Sequence, residues 1–285
     1  MTATRIQISR RTARWDDAAV HVGDAMDFWS FAAGAANVVM QMSRPGVGHG
    51  VAESTVESGS LMKHPWKRAR TTFQYLAVAV FGDEGDRAAY REAVNGAHRH
   101  VQSGPSSPVR YNAFDRELQM WVAACLFVGL EDTYQLLRGE MTPDQAGQFY
   151  RSARPLGTTL QVTDDQWPPT RAEFDRYWDD ACTQVAVDDV VRAYLLDLIN
   201  LRMINPLLGL PFRPLLTFLT TGFLAPVFRD ALGLTWGPVR QHLFERLFLI
   251  VAFANRFLPG FIRQGGTHLL LADVRMRVRR QRRLV

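Results

Sequence analysis

Along most of this chain apolar residues recur every three to four positions, and nowhere do they alternate with polar ones for long enough to build a convincing sheet. The pattern predicts an all-α protein. Between Pro65 and Phe81, one stripe holds Trp66, Ala69, Phe73, Leu76 and Val80, and the adjoining stripe holds Arg68, Thr72 and Tyr75. Pro65 suits the first turn of that helix and Gly82 its stop. A second helix is predicted from about Asp86 to Val101, on which Tyr90, Val94, Ala97, His98 and Val101 share one face. His98 therefore points where the core should be, and a buried imidazole needs a partner. Taken alone, a single His on an apolar face is more often a satisfied core residue than a ligand.

The remaining elements follow from caps and breaks. Asp27 is placed to cap a helix running to about Met42, rich in small residues and apolar on most sides, which belongs in the middle of a protein. Arg44-Pro45-Gly46 reads as its stop, followed by the loop GVGHG. No strand precedes Gly46, Gly48 and Gly50, and the third glycine is misplaced for a dinucleotide loop; the spacing fits the approach of backbone to a flat ligand. Glu53 follows, either a pocket carboxylate or a solvated loop acid. Asp115 caps a helix whose buried stripe is Leu118, Trp121, Val122, Cys125 and Leu126. Capping boxes at Thr142–Gln145 and Thr170–Glu173 bracket the Trp167-Pro168-Pro169 break, and another helix starts near Asp188. Beyond it, Pro206, Pro211 and Pro214 interrupt a strongly apolar region. Its charge-free runs, Pro214 to Phe228 with 15 residues and Leu247 to Asn255 with nine, fall short of the roughly 18 to 20 that cross a bilayer. Core or interfacial helices are expected there.

Composition changes this picture in one place. The net charge is +5, but six arginines (Arg275, Arg277, Arg279, Arg280, Arg282 and Arg283) sit in the last eleven residues, and without them the chain is near −1. The excess belongs to the tail, so no basic groove for nucleic acid is expected. The tail, VRMRVRRQRRLV, fits a peripheral contact with an anionic membrane and a frayed end equally well. Cys125 and Cys182 lie in apolar helical patterns and read as buried, reduced thiols. At the N-terminus, Arg10-Arg11 resembles an export signal, but Asp16 and Asp17 stand where its apolar stretch would follow. The organisation expected is an arm over 1–26, a helical domain over 27–273 and a basic tail over 274–285, in a cytoplasmic protein. Strong zinc spacing, a G-x-S-x-G elbow and a Walker loop are all missing from the sequence.

Six stretches taken in order do carry chemistry: Gln41–Ser54, Pro65–Gly82, Asn95–Val101, Arg110–Leu126, Trp167–Trp178 and Leu219–Trp236. Together they resemble the successive signature blocks of the rubber oxygenase family, the latex-clearing proteins, which includes the MpaB-type oxygenase. The resemblance spans roughly Phe28 to Trp236. It implies a globin-like helical fold around a b-type haem, with His98 of the NGAHRHV block as the proximal iron ligand. His100 is the competitor, but lies about 200° round the helix and off the apolar stripe. Arg68 and Thr72 match the family's Arg and Thr on the preceding helix and would contact a propionate, the bound oxygen species or their waters. In rubber-cleaving members a Lys stands just before that Thr and can ligate the distal side of the iron. Here the position is Thr71, so distal Lys ligation does not carry over, and polyisoprene cleavage with it. A Cys-ligated haem fits worse than His98, since Ala123, Ala124 and Leu126 offer a thiolate no donors. The function implied is a haem-dependent oxygenase or peroxygenase of an apolar small molecule, with oxygen or peroxide as co-substrate. The competing reading is a non-catalytic haem or apolar-ligand carrier associated with membranes.

Overall fold

Asp27 stands at the start of the first long helical stretch, yet its carboxylate caps nothing. The computed structural model, which describes residues 3–8, 20–54, 56 and 60–285, draws it instead to Arg138 (3.4 Å), Arg263 (3.2 Å) and Asn255 (3.1 Å). A buried charge needs opposite charge and donors more than a helix end needs one further acceptor. The stretch opens as a 3-10 segment, Phe28–Ala33, and becomes α1 only over Gly34–Met42. The Arg10-Arg11 pair, with Asp16 and Asp17, lies outside the described residues.

Arg44-Pro45 does stop α1, but the glycine-rich run behind it is a helix, α2 (Pro45–Ala52), and not the expected loop. Proline at its first position already has a helical φ. The glycines serve close packing between elements: a Cβ on Gly46 would meet Leu118 at 2.8 Å, and one on Gly48 would meet the Met42 carbonyl at 2.5 Å. α3 spans Pro65–Phe81 as the stripes predict, and α4 spans Glu84–His98, begun by a capping box between Asp83 and Asp86.

α5 (Arg116–Arg138) starts where Asp115 accepts bonds from the Glu117 and Leu118 amides, and most of its length is buried on every side. α6 (Pro143–Ser152), α7 (Pro155–Thr158) and α8 (Arg171–Cys182) follow, with the two predicted capping boxes ahead of α6 and α8. Trp121 of α5 stacks on Trp178 of α8 at 5.3 Å between centroids. α9 (Asp189–Ile199) is capped by Asp188. Pro206 and Pro214 then stand in the first turns of α10 (Pro206–Gly209) and α11 (Arg213–Phe223), as Pro226 and Pro238 do in α12 (Pro226–Leu232) and α13 (Pro238–Asn255), while Pro211 lies in the turn between α10 and α11. Proline is tolerated in a first helical turn because that turn has no intrahelical use for its missing N–H. Among the described residues there is no strand, only one bridge between Gln102 and Asn112, and no helix is long and apolar enough to cross a membrane.

The chain closes with α14 (Gly260–Arg263) and α15 (Gly265–Arg279), so the boundary expected at residue 274 falls inside a helix. α15 packs along α3. Val274 and Leu284 are buried against Ala77, Val78 and Tyr90, and Arg275 donates to Asp86 at 2.8 Å. The stretch from Val274 onward is therefore part of the packing around α3 and α4.

Charges tie the outer elements to α5. Glu131 is fully buried between Arg5 (2.6 Å) and Arg171 of α8 (2.7 Å), and Asp132 also accepts from Arg5 (2.5 Å). Glu131→Ala would leave Arg5 with Asp132 and Arg171 with Asp175, so the loss is that of two charge-assisted bonds, together about 3 kcal/mol. The variant's unfolding free energy should fall by about that much, measured as a shifted urea midpoint; an unchanged midpoint would show that the two arginines find water instead.

Candidate active site

The face of α4 predicted to reach the core lines a cavity of about 550 Å³, within the usual size of small-molecule and cofactor sites. His98, Arg68, Thr71 and Thr72 all line it. Tyr90, Val94 and Ala97 of α4, Phe73 of α3, and Leu126 and Leu130 of α5 supply apolar wall. The polar residues singled out in sequence are thus brought to one volume, although they come from separate helices.

His98 is the last residue of α4. Its Nδ1 is buried and makes no hydrogen bond among the described residues, so it is not the satisfied core histidine that a lone His usually is. Burial, and after it the charge of Arg68, push its pKa down to about 4. At neutral pH the ring is therefore uncharged, with a lone pair available on one nitrogen. Phe114 meets the ring edge-on at 6.1 Å. His100 is exposed and does not line the cavity.

Arg68 is one turn below Thr72 on α3. Burial lowers its pKa, opposed by Tyr90 and Tyr194 nearby, and no carboxylate pairs with it among the described residues. Much of its surface stays accessible because it opens onto the cavity. The Thr71 and Thr72 hydroxyls both donate to the Arg68 carbonyl, at 3.0 and 2.9 Å. In that rotamer their protons face the backbone and their oxygens remain acceptors. Tyr90 and Tyr75, whose hydroxyls donate to the carbonyls of Thr71 (2.5 Å) and Leu156 (2.6 Å), are pushed well above ordinary phenol pKa values by burial. They act as neutral wall and strut.

Glu53 is neither a free pocket carboxylate nor a solvated loop acid. It ends α2 and lies 2.6 Å from Nδ1 of buried His49, whose Nε2 is 2.6 Å from Asp188 at the start of α9. Tyr111 donates to its other oxygen at 3.0 Å. Burial opposes charge on His49, but the bonds to Glu53 and Asp188 outweigh it and raise the pKa. The bond to His49 is the largest cause lowering Glu53; at Asp188 the Val191 amide comes first and His49 adds to it. This strut behind the cavity wall escapes a reading of GVGHG as loop. Read as helix, His49 and Glu53 stand at i and i+4 on one face, which is the signal that would have found them.

Cys125 and Cys182 are buried and free, as expected. Burial raises both thiols, Cys182 to about 12, so neither is a thiolate at neutral pH. Among the described residues no cluster of three or more His, Cys, Asp or Glu could hold a bare metal ion.

Comparison with protein families matches residues 22–253 to the one described as ER-bound oxygenase mpaB/B'/Rubber oxygenase, catalytic domain. The matched span contains α1 to α4 and with them His98, Arg68 and Thr72. Uncharacterized proteins from Mycobacterium bovis and Mycobacterium tuberculosis are each 46% identical over 251 residues, covering 88% of this chain and 98% of theirs. No solved structure matches.

The strut predicts a pH dependence of stability. Because the His49 pKa is raised, its contribution is complete below its ordinary value of 6.5 and is lost as pH rises through the folded value. The lowered pKa values of Glu53 and Asp188 make theirs present above 4.5 and 3.8, and lost as pH falls through the folded values. Thermal midpoints of wild type and His49→Gln should therefore differ most between about pH 4.5 and 6.5, and converge toward pH 8 and pH 3. A difference constant with pH would show that the ring does not titrate in this range.

Proposed function

The chain belongs to the family of mpaB-type and rubber oxygenase catalytic domains, and from that premise we propose that its cavity holds a b-type haem and that it is a haem-dependent oxygenase or peroxygenase of an apolar small molecule. The observation that carries the reading is His98: a neutral imidazole lining a cavity, with a buried nitrogen that no group among the described residues satisfies. That is the protonation state in which histidine ligates iron. With no donor cluster for a bare ion among the described residues, one histidine suits an iron whose in-plane ligands come with a macrocycle. Arg68, a cation without a carboxylate beside it among the described residues, would balance an acidic group of the same ligand. The residues present fit the cofactor, and a globin-like placing of α3 to α5 around it is part of the proposal.

When bound, the haem would supply the oxygen-activating redox chemistry. The chain's own side chains then have distinct tasks. Val94, Leu126 and Leu130 exclude water and hold an apolar substrate through the area they bury. Thr71 and Thr72 offer acceptor oxygens that orient a donor, while Arg68 supplies the charge-assisted bond. Thr71 provides no amine where rubber-cleaving relatives have Lys, so the proposed substrate is a small apolar molecule rather than polyisoprene. The strut from Asp188 through His49 to Glu53 holds α2 against α9 behind the wall and keeps that side of the cavity in place.

Expression with ample haem supply tests the ligand. His98→Ala should lose haem at least tenfold while His100→Ala keeps it, measured as haemochrome per chain; equal content in all three proteins would sink the assignment. Arg68→Ala and Thr72→Ala should retain haem and change cyanide or imidazole affinity by about tenfold, the worth of one charge-assisted or neutral hydrogen bond at the site. A wild-type chain that carries haem but consumes neither oxygen nor peroxide with any apolar substrate would be the carrier instead.

A further inference from the structure

α13 is apolar on two opposite faces. Phe244, Phe248 and Ala252 are buried, the phenyl rings against Phe223 of α11. The other face presents Leu243, Ile250 and Phe253, each more than half exposed, and Phe257 continues its line at 69% exposure. Phe253 and Phe257 touch each other edge to face at 5.2 Å and remain open. α14 extends the ridge with Phe261 and Ile262, at 76% and 49% exposure. A helix apolar on two opposite faces needs an apolar neighbour on each, and no described helix is long and apolar enough to cross a bilayer. What remains is a helix lying in the plane of an interface.

Charge says which surface. Between Pro238 and Ala272 Glu245 is the one acid, against Arg240, Arg246 and Arg256 within or beside the ridge, while Arg263 is paired with Asp27. We propose that the α13–α14 ridge seats this protein on an anionic bilayer surface, with Leu243, Ile250, Phe253, Phe257 and Phe261 entering the acyl boundary and the exposed Arg240 and Arg246 meeting headgroups. A second copy of the chain fits worse. A two-fold contact would set this net basic patch against itself, where like charges oppose association.

The ridge is rooted in the cavity wall. Asn255 and Arg263 both donate to Asp27, and Thr267 just beyond α14 donates to the Met26 carbonyl at 3.1 Å. Met26, Asp27 and Thr267 line the cavity. An apolar substrate dissolved in the bilayer would thus meet the protein beside its binding volume. That consequence rests on the oxygenase reading; the membrane seat does not, and it is tested without turnover.

Co-sedimentation with vesicles of equal parts phosphatidylcholine and phosphatidylglycerol, compared with phosphatidylcholine alone, reads the seat directly. Wild type should pellet with the mixed vesicles, less so at high salt. The triple variant Phe253→Ser, Phe257→Ser, Phe261→Ser should bind at least tenfold less with an unchanged circular dichroism spectrum. Because both native cysteines are buried, Phe257→Cys can be labelled selectively with an environment-sensitive fluorophore, and its emission should shift to the blue on adding mixed vesicles. Three results would overturn the proposal: undiminished binding by the triple variant; unshifted emission at position 257; or a wild-type dimer in sedimentation that the triple variant dissolves while neither protein binds vesicles. Binding abolished by replacing Arg279, Arg280, Arg282 and Arg283 with alanine, yet untouched by the triple variant, would assign the contact to the tail and overturn it equally.

Discussion

A helix buried on every side must be enclosed by others, and α5 sets that requirement for this protein. Its apolar residues take α1, α7 and α13 as neighbours. Its buried acids then fix which outer pieces stay, because a desolvated carboxylate is tolerable only with a cation against it. Glu131 and Asp132 hold Arg5 near the N-terminus and Arg171 at the start of α8. At the far end, Arg138 reaches Asp27, which also gathers Asn255 of α13 and Arg263 of α14. One helix thus organises both the apolar interior and the ion pairs that fasten the periphery.

The cavity lies where that enclosure leaves space, between α5 and the pair α3–α4. Other acids and bases nearby have partners: Glu53 has His49 and Tyr111, and Asp86 has Arg275. His98 and Arg68 differ in lacking, among the described residues, a protein partner of suitable chemistry. A folded chain that keeps an imidazole uncharged, its buried nitrogen unbonded and a guanidinium without its anion forgoes stability there. Such a deficit is understandable where a ligand makes it good, and strain of this kind concentrates at functional sites.

Much of this was legible because it is local. The limits of α3, the Asp115 cap, both capping boxes and the face of α4 carrying His98 depend on residues within a turn or two of one another, and the sequence displays them. What escaped depends on partners distant in sequence. Asp27 looks like a cap until Arg138 and Arg263 come within reach of it. GVGHG looks like a loop until Leu118 and Val191 occupy the space that side chains at its glycines would need. The segment from Val274 looks like a loose basic tail until Ala77, Val78 and Tyr90 bury Val274 and Leu284. His49 was missed for the same reason, since half of its binding comes from Asp188, 139 positions away.

The central claim is that the unsatisfied imidazole of His98 is made good by iron in a porphyrin. The visible spectrum of the purified wild-type chain, titrated with haemin, tests it most directly. If His98 takes the iron, a Soret band should grow in and saturate at one haem per chain. A spectrum that remains that of free haemin throughout the titration, with the protein folded, would contradict it.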